Sequence, residues 1–371
     1  MLNSQAKHAV KNRMPRYRTH LIFDYVDEGY PLTRVAVRKG ETLRQTRRSI
    51  DLEAERGARR TPSFMIIGAQ KCGTTSLYEI LMQHPLAVKG GRRETHFFDW
   101  RWQKQLTTPD AQLAFYHKFY KTDALAEHPS LFTGESTPSY LLHSDVVLPR
   151  VKAVCPWVQL LVMLRDPTAR AYSHYQMCID MQCAPEQKAV RGQSEYHGRS
   201  FAQVVAAELD ELEAAGVAPG CSRDAWNEYL KSRPQGHGGH SLVARGLYAL
   251  QLEPWLEAFG GTSGASGVSE GAVVEGEGAS AASTAPSPFI SGQVMVLNLS
   301  DLKGSAATKQ AVLDAVFAHV GVPPSDIPDT DAKNTRSYTE PMDATTGKVL
   351  RAFYQPFNER LYALMGRRYD W

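Results

Sequence analysis

The chain has 371 residues, of which 43% are hydrophobic and 22% charged, proportions that are ordinary for a soluble globular protein. Its five cysteines are irregularly spaced and include no C-x-x-C pair, so the sequence indicates neither a disulfide framework nor a zinc site. The net charge of +3 conceals an uneven distribution, because residues 1–60 contain 14 Lys or Arg against 7 Asp or Glu.

Residues 1–60 are predicted to be a basic extension of the folded domain. Such a composition is typical of a solvated segment and would also attract an acidic polymer. No apolar run of about 18 residues and no signal-peptide core is found in the sequence, so we expect no transmembrane segment. The first 20 residues have five basic and no acidic side chains, as in an organellar transit peptide, and the location stays open. Residues 61–371 are expected to form one domain.

Residues 63–75 combine a buried strand with a glycine-rich turn. Gly68 and Gly73 have the spacing of a P-loop, and an amphipathic helix opens at Thr74. The usual lysine behind the second glycine is absent, and Lys71 lies inside the loop instead, which favours a nucleotide with a single reactive 5′ group. A turn whose glycines serve geometry alone is the alternative. The residues predicted to bind the donor are Lys71, Cys72, Gly73, Thr74, Thr75 and Ser76.

The segment 92–100, RRETHFFDW, contains the candidate catalytic residues. Glu94, His96 and Asp99 lie within six positions, beside aromatic residues that would exclude water. A carboxylate in an apolar pocket has a raised pKa and accepts a proton usefully near neutral pH, so Glu94 is the predicted base. In the alternative interpretation, Glu94 pairs with Arg92 or Arg93 at the surface and His96 is a core histidine.

Residues 158–175, VQLLVMLRDPTARAYSHY, predict a second buried strand, a turn at Asp166-Pro167 and a helix. Arg165 follows the strand, and Ser173 lies two helical turns further on. Ligands of open parallel sheets bind beyond the carboxyl ends of the strands, where these two side chains would hold a second phosphate. Alternatively, Arg165 pairs with a neighbouring carboxylate and Ser173 faces water.

The remaining segments complete an α/β pattern. Residues 245–259 predict an amphipathic helix, 294–302 a strand with a turn, and 305–320 a helix. Residues 260–292 are rich in Gly, Ala and Ser, and we expect a flexible surface insertion there. His237 and His240 lie in a Gly-rich cluster that offers no third ligand by spacing, so no metal site is expected.

Together the strings IGAQKCGTTSLYEIL, ETHFFD and RDPTARAYSHY resemble carbohydrate sulfotransferases of the heparan sulfate 3-O- and N-sulfotransferase type, over residues 61–371 without the insertion. The resemblance implies 3′-phosphoadenosine 5′-phosphosulfate as the donor and no metal. It implies that Glu94 is the base and that His96 and Asp99 support it. It also implies that Lys71 offsets charge on the departing phosphate. The residues that it assigns to donor contacts outside the loop are Arg165, Ser173, Lys333, Asn334 and Arg336.

Departures from the family pattern at Ser136 and Thr75 bear on the proposed chemistry. Residues 134–140, GESTPSY, place Ser136 where the family usually has a lysine near the transferred group. Lys71 with another cation, Arg92 or Arg93, would then carry the leaving-group charge, or turnover would be slower. Thr75 stands where the 3-O-sulfotransferase branch has an arginine. In this respect the chain is like the N-sulfotransferase branch, so the identity of the acceptor atom stays open.

We therefore expect a P-loop-like α/β fold, a parallel sheet flanked by helices, and sulfuryl transfer to a hydroxyl or amine of a carbohydrate. A polysaccharide of the heparan sulfate or glycosaminoglycan type is the expected acceptor, and no nucleic-acid partner is expected. A P-loop kinase or NTPase is the first alternative, although Thr74 replaces the lysine that it requires. A non-catalytic nucleotide-binding module is the second.

Overall fold

A five-stranded sheet forms the centre of the computed structural model, which describes residues 61–180, 191, 193–236, 238–261, 288–329 and 340–371. The spatial order of the strands is β2-β1-β3-β5-β4. Strands β2, β1, β3 and β5 run parallel, and β4 pairs antiparallel with β5 at the edge of the sheet. The strands are β1 (Phe64–Gly68), β2 (Gly134–Ser136), β3 (Gln159–Leu164), β4 (Phe289–Ser291) and β5 (Val294–Asn298).

Helices cover the sheet, and every residue of β1, β2 and β5 is buried, as expected for parallel strands with both faces covered. No helix in the described ranges is long and apolar enough to cross a membrane. The helices are α1 (Thr74–Leu81), α2 (Pro109–Tyr116), α3 (Thr122–Glu127), α4 (Ser144–Val154), α5 (Pro167–Cys178), α6 (Gln193–Tyr196), α7 (Phe201–Ala214), α8 (Arg223–Lys231), α9 (Tyr248–Phe259), α10 (Ala306–Val320) and α11 (Ala344–Met365).

Local sequence explains where several helices begin. Ser200, Ser222 and Ser305 precede α7, α8 and α10, and each side chain accepts a hydrogen bond from a backbone N–H of the first turn. At α5, Asp166 caps the helix by accepting from the Thr168 N–H at 2.9 Å, and Pro167 occupies the first helical position. This cap fixes the direction in which the chain leaves β3, and Arg165 lies in that connection.

The α/β fold with a sheet dominated by parallel strands was correctly predicted. The buried strands predicted at the start of 63–75 and of 158–175 correspond to β1 and β3, and the helix predicted at 305–320 agrees with α10 to within one residue. The helix predicted at 245–259 is instead a 3₁₀ turn, Ala244–Gly246, followed by α9. The strand and turn predicted at 294–302 are β5 and the 3₁₀ turn Leu299–Leu302.

The predicted carboxyl-terminal boundary of the insertion 260–292 was wrong. Residues Phe289–Ser291 form β4, whose pairing with β5 provides backbone hydrogen bonds that the sequence composition did not reveal. The turn at Gly292 has a φ of 55° and packs against Gly260 and Gly261, where a Cβ on Gly292 would lie 2.4 Å from the Gly261 nitrogen. Residues 262–287 of the insertion, and the basic extension 1–60, lie outside the described residues.

Candidate active site

The loop between β1 and α1 contains the residues that were predicted to bind the donor. Gly73 caps α1 with a φ of 88° and without a side-chain hydrogen bond to the first turn. The first N–H groups of a helix have no partners within the helix, so the start of α1 presents donors to an anion. Thr74 and Ser76 of this turn are buried, and Thr75 is half-buried.

Cys72 contributes differently from its neighbours in the loop. Its backbone N–H donates to the carbonyl of Ala69 at 3.2 Å, and its thiol is fully buried 3.5 Å from the hydroxyl of Tyr248. Burial raises the pKa of the Cys72 thiol, and only part of this effect is offset by the hydrogen bond between the thiol and Tyr248 and by nearby cations. Cys72 therefore shapes the loop, and its side chain packs into the core.

Two arginines join the second predicted phosphate motif to the first. Arg165 donates through Nη1 to the carbonyl of Lys71 at 3.4 Å, and Arg170 donates through Nη1 to the carbonyl of Gln70 at 3.2 Å. The carbonyl of Arg165 accepts from the hydroxyl of Tyr248 at 2.7 Å. Lys71 itself has a left-handed backbone with a φ of 71°, a conformation uncommon outside glycine.

The alternative interpretation of Arg165 finds no support here. Over the described ranges Arg165 forms no ion pair, and Asp166 is engaged as the cap of α5. Ser173 lies on α5 and is buried. The two motifs, 94 residues apart in sequence at Lys71 and Arg165, therefore meet at the carboxyl edge of the parallel sheet.

Glu94, His96 and Asp99 form a connected chain of polar groups. His96 Nδ1 lies 2.8 Å from Asp99 Oδ2, and His96 Nε2 lies 3.8 Å from Glu94 Oε2. Ser139 donates to the same Asp99 oxygen at 2.7 Å. His96 and Asp99 are buried, whereas the Glu94 side chain retains 22% of its exposure.

The protonation of His96 follows from these contacts. Burial alone would lower its pKa, but the hydrogen bonds and negative charges of Asp99 and Glu94 outweigh burial and raise the pKa to about 9. His96 is therefore an imidazolium at neutral pH. Its backbone φ of 53° is a strained conformation for a non-glycine residue, of a kind that clusters at functional sites.

The ion pair between Glu94 and Arg93 was one of the alternatives left open by the sequence. Arg93 Nη2 lies 2.6 Å from Glu94 Oε1. The carbonyl of Arg93 also accepts the N–H of Ser136 at 2.8 Å, so Arg93 lies directly beside the position where the family usually has a lysine. The Ser136 hydroxyl is buried and, among the described residues, has no hydrogen-bond partner. Arg92 is exposed.

Glu135 is the residue of this region whose role the sequence did not reveal. It lies on β2, is fully buried and accepts from the N–H and hydroxyl of Thr95 at 3.1 and 2.5 Å. Thr137 donates to the same carboxylate at 2.6 Å, as do the hydroxyls of Tyr116 and Tyr140. Burial raises the pKa of Glu135, and these hydrogen bonds oppose the rise. Glu135 thus fastens the segment carrying Glu94 to the sheet.

Some predicted residues cannot be located. Lys333, Asn334, Arg336 and His237 lie outside the described residues. His240 is buried, and its pKa is lowered to about 2 by burial and by the charge of Arg245, so it is neutral. Within the described part of the chain, no group of three or more His, Cys, Asp or Glu is arranged to hold a metal ion.

Comparison with known proteins gives consistent matches. The sulfotransferase domain family matches residues 61–258, more than half of the chain. Heparan sulfate glucosamine 3-O-sulfotransferase 3A1 of Mus musculus is 24% identical over 87% of this chain and 67% of its own length. Heparan sulfate glucosamine 3-O-sulfotransferase 3B1 of Mus musculus is 24% identical over 85% of this chain and 66% of its own length. Heparan sulfate glucosamine 3-O-sulfotransferase 5 of Homo sapiens is 23% identical over 90% of this chain and 79% of its own length. The chain thus spans about two thirds of the length of the two mouse proteins.

Among solved structures, a sulfotransferase from Alicyclobacillus acidocaldarius aligns with a TM-score of 0.49 and 24% identity. The alignment covers 84% of this chain and 98% of that protein.

Proposed function

The chain belongs to the sulfotransferase domain family, and we propose that it transfers a sulfuryl group from 3′-phosphoadenosine 5′-phosphosulfate to a hydroxyl or amine of a carbohydrate. The observation that carries this proposal is the meeting of three parts at one edge of the sheet. These are the N-terminus of α1, the Arg165 side chain against the loop carbonyl of Lys71, and the polar chain from Glu94 to Asp99. The last part is joined to the end of β2, because the Ser136 N–H donates to the carbonyl of Arg93.

The polar groups around the loop suit a nucleotide with two separate phosphates. The first turn of α1, which has no side-chain cap, and Lys71 would hold the 5′ end, and Arg165 with Ser173 would hold the 3′-phosphate. The Gln70 side chain in this loop is buried, and neither of its polar atoms has a partner among the described residues, as expected for a group that binds a ligand or water. When bound, the donor supplies the sulfuryl group and a phosphate that leaves with the electron pair of the broken sulfur–oxygen bond.

The residues of this chain then have distinct tasks. Glu94 accepts the proton that the acceptor hydroxyl or amine loses as its oxygen or nitrogen bonds to sulfur. His96 is already protonated at neutral pH, so it orients Glu94 and does not serve as a base. Asp99 holds the imidazolium in place. Lys71 offsets the negative charge that develops on the leaving phosphate.

The choice of carbohydrate rests on the relatives. The matched proteins are named for the glucosamine of heparan sulfate, and the three of them quoted above cover 85 to 90% of this chain. We therefore propose a polysaccharide of the heparan sulfate or glycosaminoglycan type as the acceptor.

Replacement of Glu94 tests the proposal. Glu94→Gln keeps the shape of the side chain but cannot accept the proton, so transfer of radiolabelled sulfate to a polysaccharide that the wild type uses should fall by about 10²–10⁴-fold. Calorimetric affinity for adenosine 3′,5′-bisphosphate should be retained. Glu228→Gln, which removes an ion-paired glutamate on α8, serves as the matched control.

Two results would contradict the assignment. Near-normal turnover in folded Glu94→Gln would place the base elsewhere. A wild type that binds the bisphosphate but transfers no sulfate to any of a panel of polysaccharides would favour a non-catalytic binding module.

A further inference from the structure

A cleft on the flank of the sheet contains none of the residues proposed to hold the donor or to act as the base. It lies between α4, α8 and α9 and has a volume of about 320 Å³, within the range of roughly 300–1,000 Å³ that is typical of small-molecule sites. It follows α4 from the first turn, at Asp145, to the last turn, at Lys152. Because α4 ends at Val154 and β3 begins at Gln159, the Lys152 end lies toward the amino edge of the sheet, away from the donor loop.

Helix α4 supplies one wall of the cleft. Val147 and Val151 of this helix are buried in the core, whereas Asp145, Leu148 and Lys152 line the cleft. Asp145 and Lys152 are seven residues apart, which is two helical turns, so they lie on the same face about 10 Å apart along the helix axis. The apolar part of the lining is Leu148, Pro149, Pro254 and Ala258.

Two buried polar atoms at one end of the cleft lack partners. Ser144 is only 3% exposed, and its hydroxyl has no hydrogen-bond partner among the described residues. Oδ1 of Asp145 also has none, and Asp145 forms no ion pair with any residue that the structure describes. The position of Asp145 in the first turn suits the helix dipole but provides no hydrogen bond to Oδ1. Since an unpartnered buried polar atom costs free energy, the two neighbouring oxygens favour a bound group that donates hydrogen bonds.

The charges near Asp145 are engaged with other groups. Burial raises the pKa of Asp145, although the backbone N–H groups of Val146 and Asp145 and the charges of Arg150 and Lys231 oppose the rise. Arg150 donates through Nη1 to two backbone carbonyls at 2.7 and 2.9 Å, and Lys231 pairs with Glu228 at 2.7 Å. Asp145 therefore retains an oxygen that a cation from outside the chain can contact.

Lys152 provides the opposite charge at the other end of the cleft. It is exposed and forms no ion pair within the described ranges. The other charged residues of the lining neutralise each other, because Arg223 Nη1 lies 2.8 Å from Glu257 Oε2. A ligand in the cleft would thus meet a carboxylate at one end, an ammonium group at the other and apolar side chains between them.

We propose that this cleft, here called the α4 cleft, binds a small zwitterion that has an ammonium group and a carboxylate at opposite ends of a short apolar chain. The ammonium group donates to Asp145 Oδ1 and to the Ser144 hydroxyl, and the carboxylate pairs with Lys152. The methylene groups of the ligand pack against the apolar lining. The inference goes beyond the proposed function, because it concerns a ligand that takes no part in sulfuryl transfer.

Binding of simple probes tests the α4 cleft. The probe is 6-aminohexanoate, hexanoate and hexylamine are its counterparts with a single charge, and glycine is a zwitterion too short to reach both ends. Ligand-observed NMR titrations of the full chain should show that 6-aminohexanoate binds at least about tenfold more tightly than any of the other three. This preference should shrink as salt is raised, because both contacts are electrostatic.

Substitutions at the two ends separate the two contacts. In Asp145→Asn the affinity for 6-aminohexanoate should fall to that of hexanoate, and in Lys152→Met it should fall to that of hexylamine, because each variant loses one charged contact. Ser144→Ala should weaken binding by about threefold, as expected for one hydrogen bond. Asp110→Asn and Lys348→Met, the same changes at exposed positions on α2 and α11, should leave the affinity unchanged.

Three results would overturn the proposal: no detectable binding of 6-aminohexanoate to the wild type, equal affinity for the zwitterion and the probes with a single charge, or unchanged affinity in Lys152→Met. The last comparison holds even if Asp145→Asn does not fold, because Lys152 is exposed. Sulfate transfer is not measured in these titrations. Failure of the α4 cleft would therefore leave the proposed function standing, and absent sulfate transfer would leave the α4 cleft standing.

Discussion

The pairing of His96 with Asp99 makes a quantitative prediction about stability and pH. Asp99→Asn removes the negative charge that keeps His96 protonated, while the amide retains an oxygen that can accept from Ser139 or from the imidazole. With its main charged partner gone, burial dominates, and we expect the pKa of His96 to fall toward or below its ordinary value.

The size and sign of the effect follow from proton linkage. In the wild type the pKa of His96 is raised from 6.5 in the unfolded chain to about 9 in the folded protein. At about 1.4 kcal/mol per pKa unit, this difference corresponds to about 3 kcal/mol of folding free energy. Because the folded state binds the proton more tightly, the contribution is fully present below pH 6.5 and is lost as the pH rises through about 9.

Urea unfolding at a series of pH values between 6 and 9.5 measures this contribution. Asp99→Asn should be less stable than the wild type at pH 6, and the gap should shrink by about 2–3 kcal/mol by pH 9.5. Asp110→Asn, an exposed change on α2, should follow the wild-type curve at every pH. A gap between wild type and Asp99→Asn that stays constant with pH would refute the argument, as would a wild-type His96 imidazole that titrates near 6.5 by NMR.

Three further substitutions have defined outcomes. Arg165→Ala should weaken binding of adenosine 3′,5′-bisphosphate by about 1.5–3 kcal/mol in calorimetry and leave adenosine 5′-phosphate unaffected, and equal losses for the two nucleotides would remove the 3′-phosphate assignment. Lys71→Ala should reduce both donor affinity and the rate of sulfate transfer, whereas an unchanged rate at saturating donor would show that its charge does not act on the leaving group. Glu135→Ala should lower the free energy of unfolding by about 3 kcal/mol or more, because it leaves several buried hydroxyls unpaired, and a loss below about 1 kcal/mol would show that water replaces the carboxylate.

The central strands were predictable because of their composition. β1 and β3 are continuous apolar runs that end at a glycine-rich turn and at a charged turn, so both position and direction could be inferred. β2 contains only Gly134, Glu135 and Ser136, and none of these residues is a strand former. Its pairing with β1 depends on close approach at Gly134, where a Cβ would lie 2.4 Å from the carbonyl oxygen of Phe64. A three-residue pattern does not reveal such a contact.

The candidate catalytic residues were easier to identify from the sequence than the residue that holds their segment in place. Glu94, His96 and Asp99 form a recognisable string, but Glu135 in GESTPSY resembles any solvated glutamate when only its neighbours in sequence are considered. Its burial comes from Tyr116 and Tyr140, whose hydroxyls reach the carboxylate from α2 and from the segment after β2.

Two arginines lie beside the loop between β1 and α1, where we propose that the donor binds. Arg165 and Arg170 donate to backbone carbonyls of the loop, at Lys71 and Gln70, and neither pairs with a carboxylate among the described residues. A carbonyl satisfies the hydrogen-bonding geometry of a guanidinium but, unlike a carboxylate, does not neutralise its charge. A carboxylate in place of either carbonyl could accept the same hydrogen bond, but it would also cancel the charge of the arginine. The arginines that shape the loop therefore also place positive potential beside it, as suits the doubly phosphorylated donor that we propose, and Arg170, which is fully buried, contributes from a medium that screens poorly.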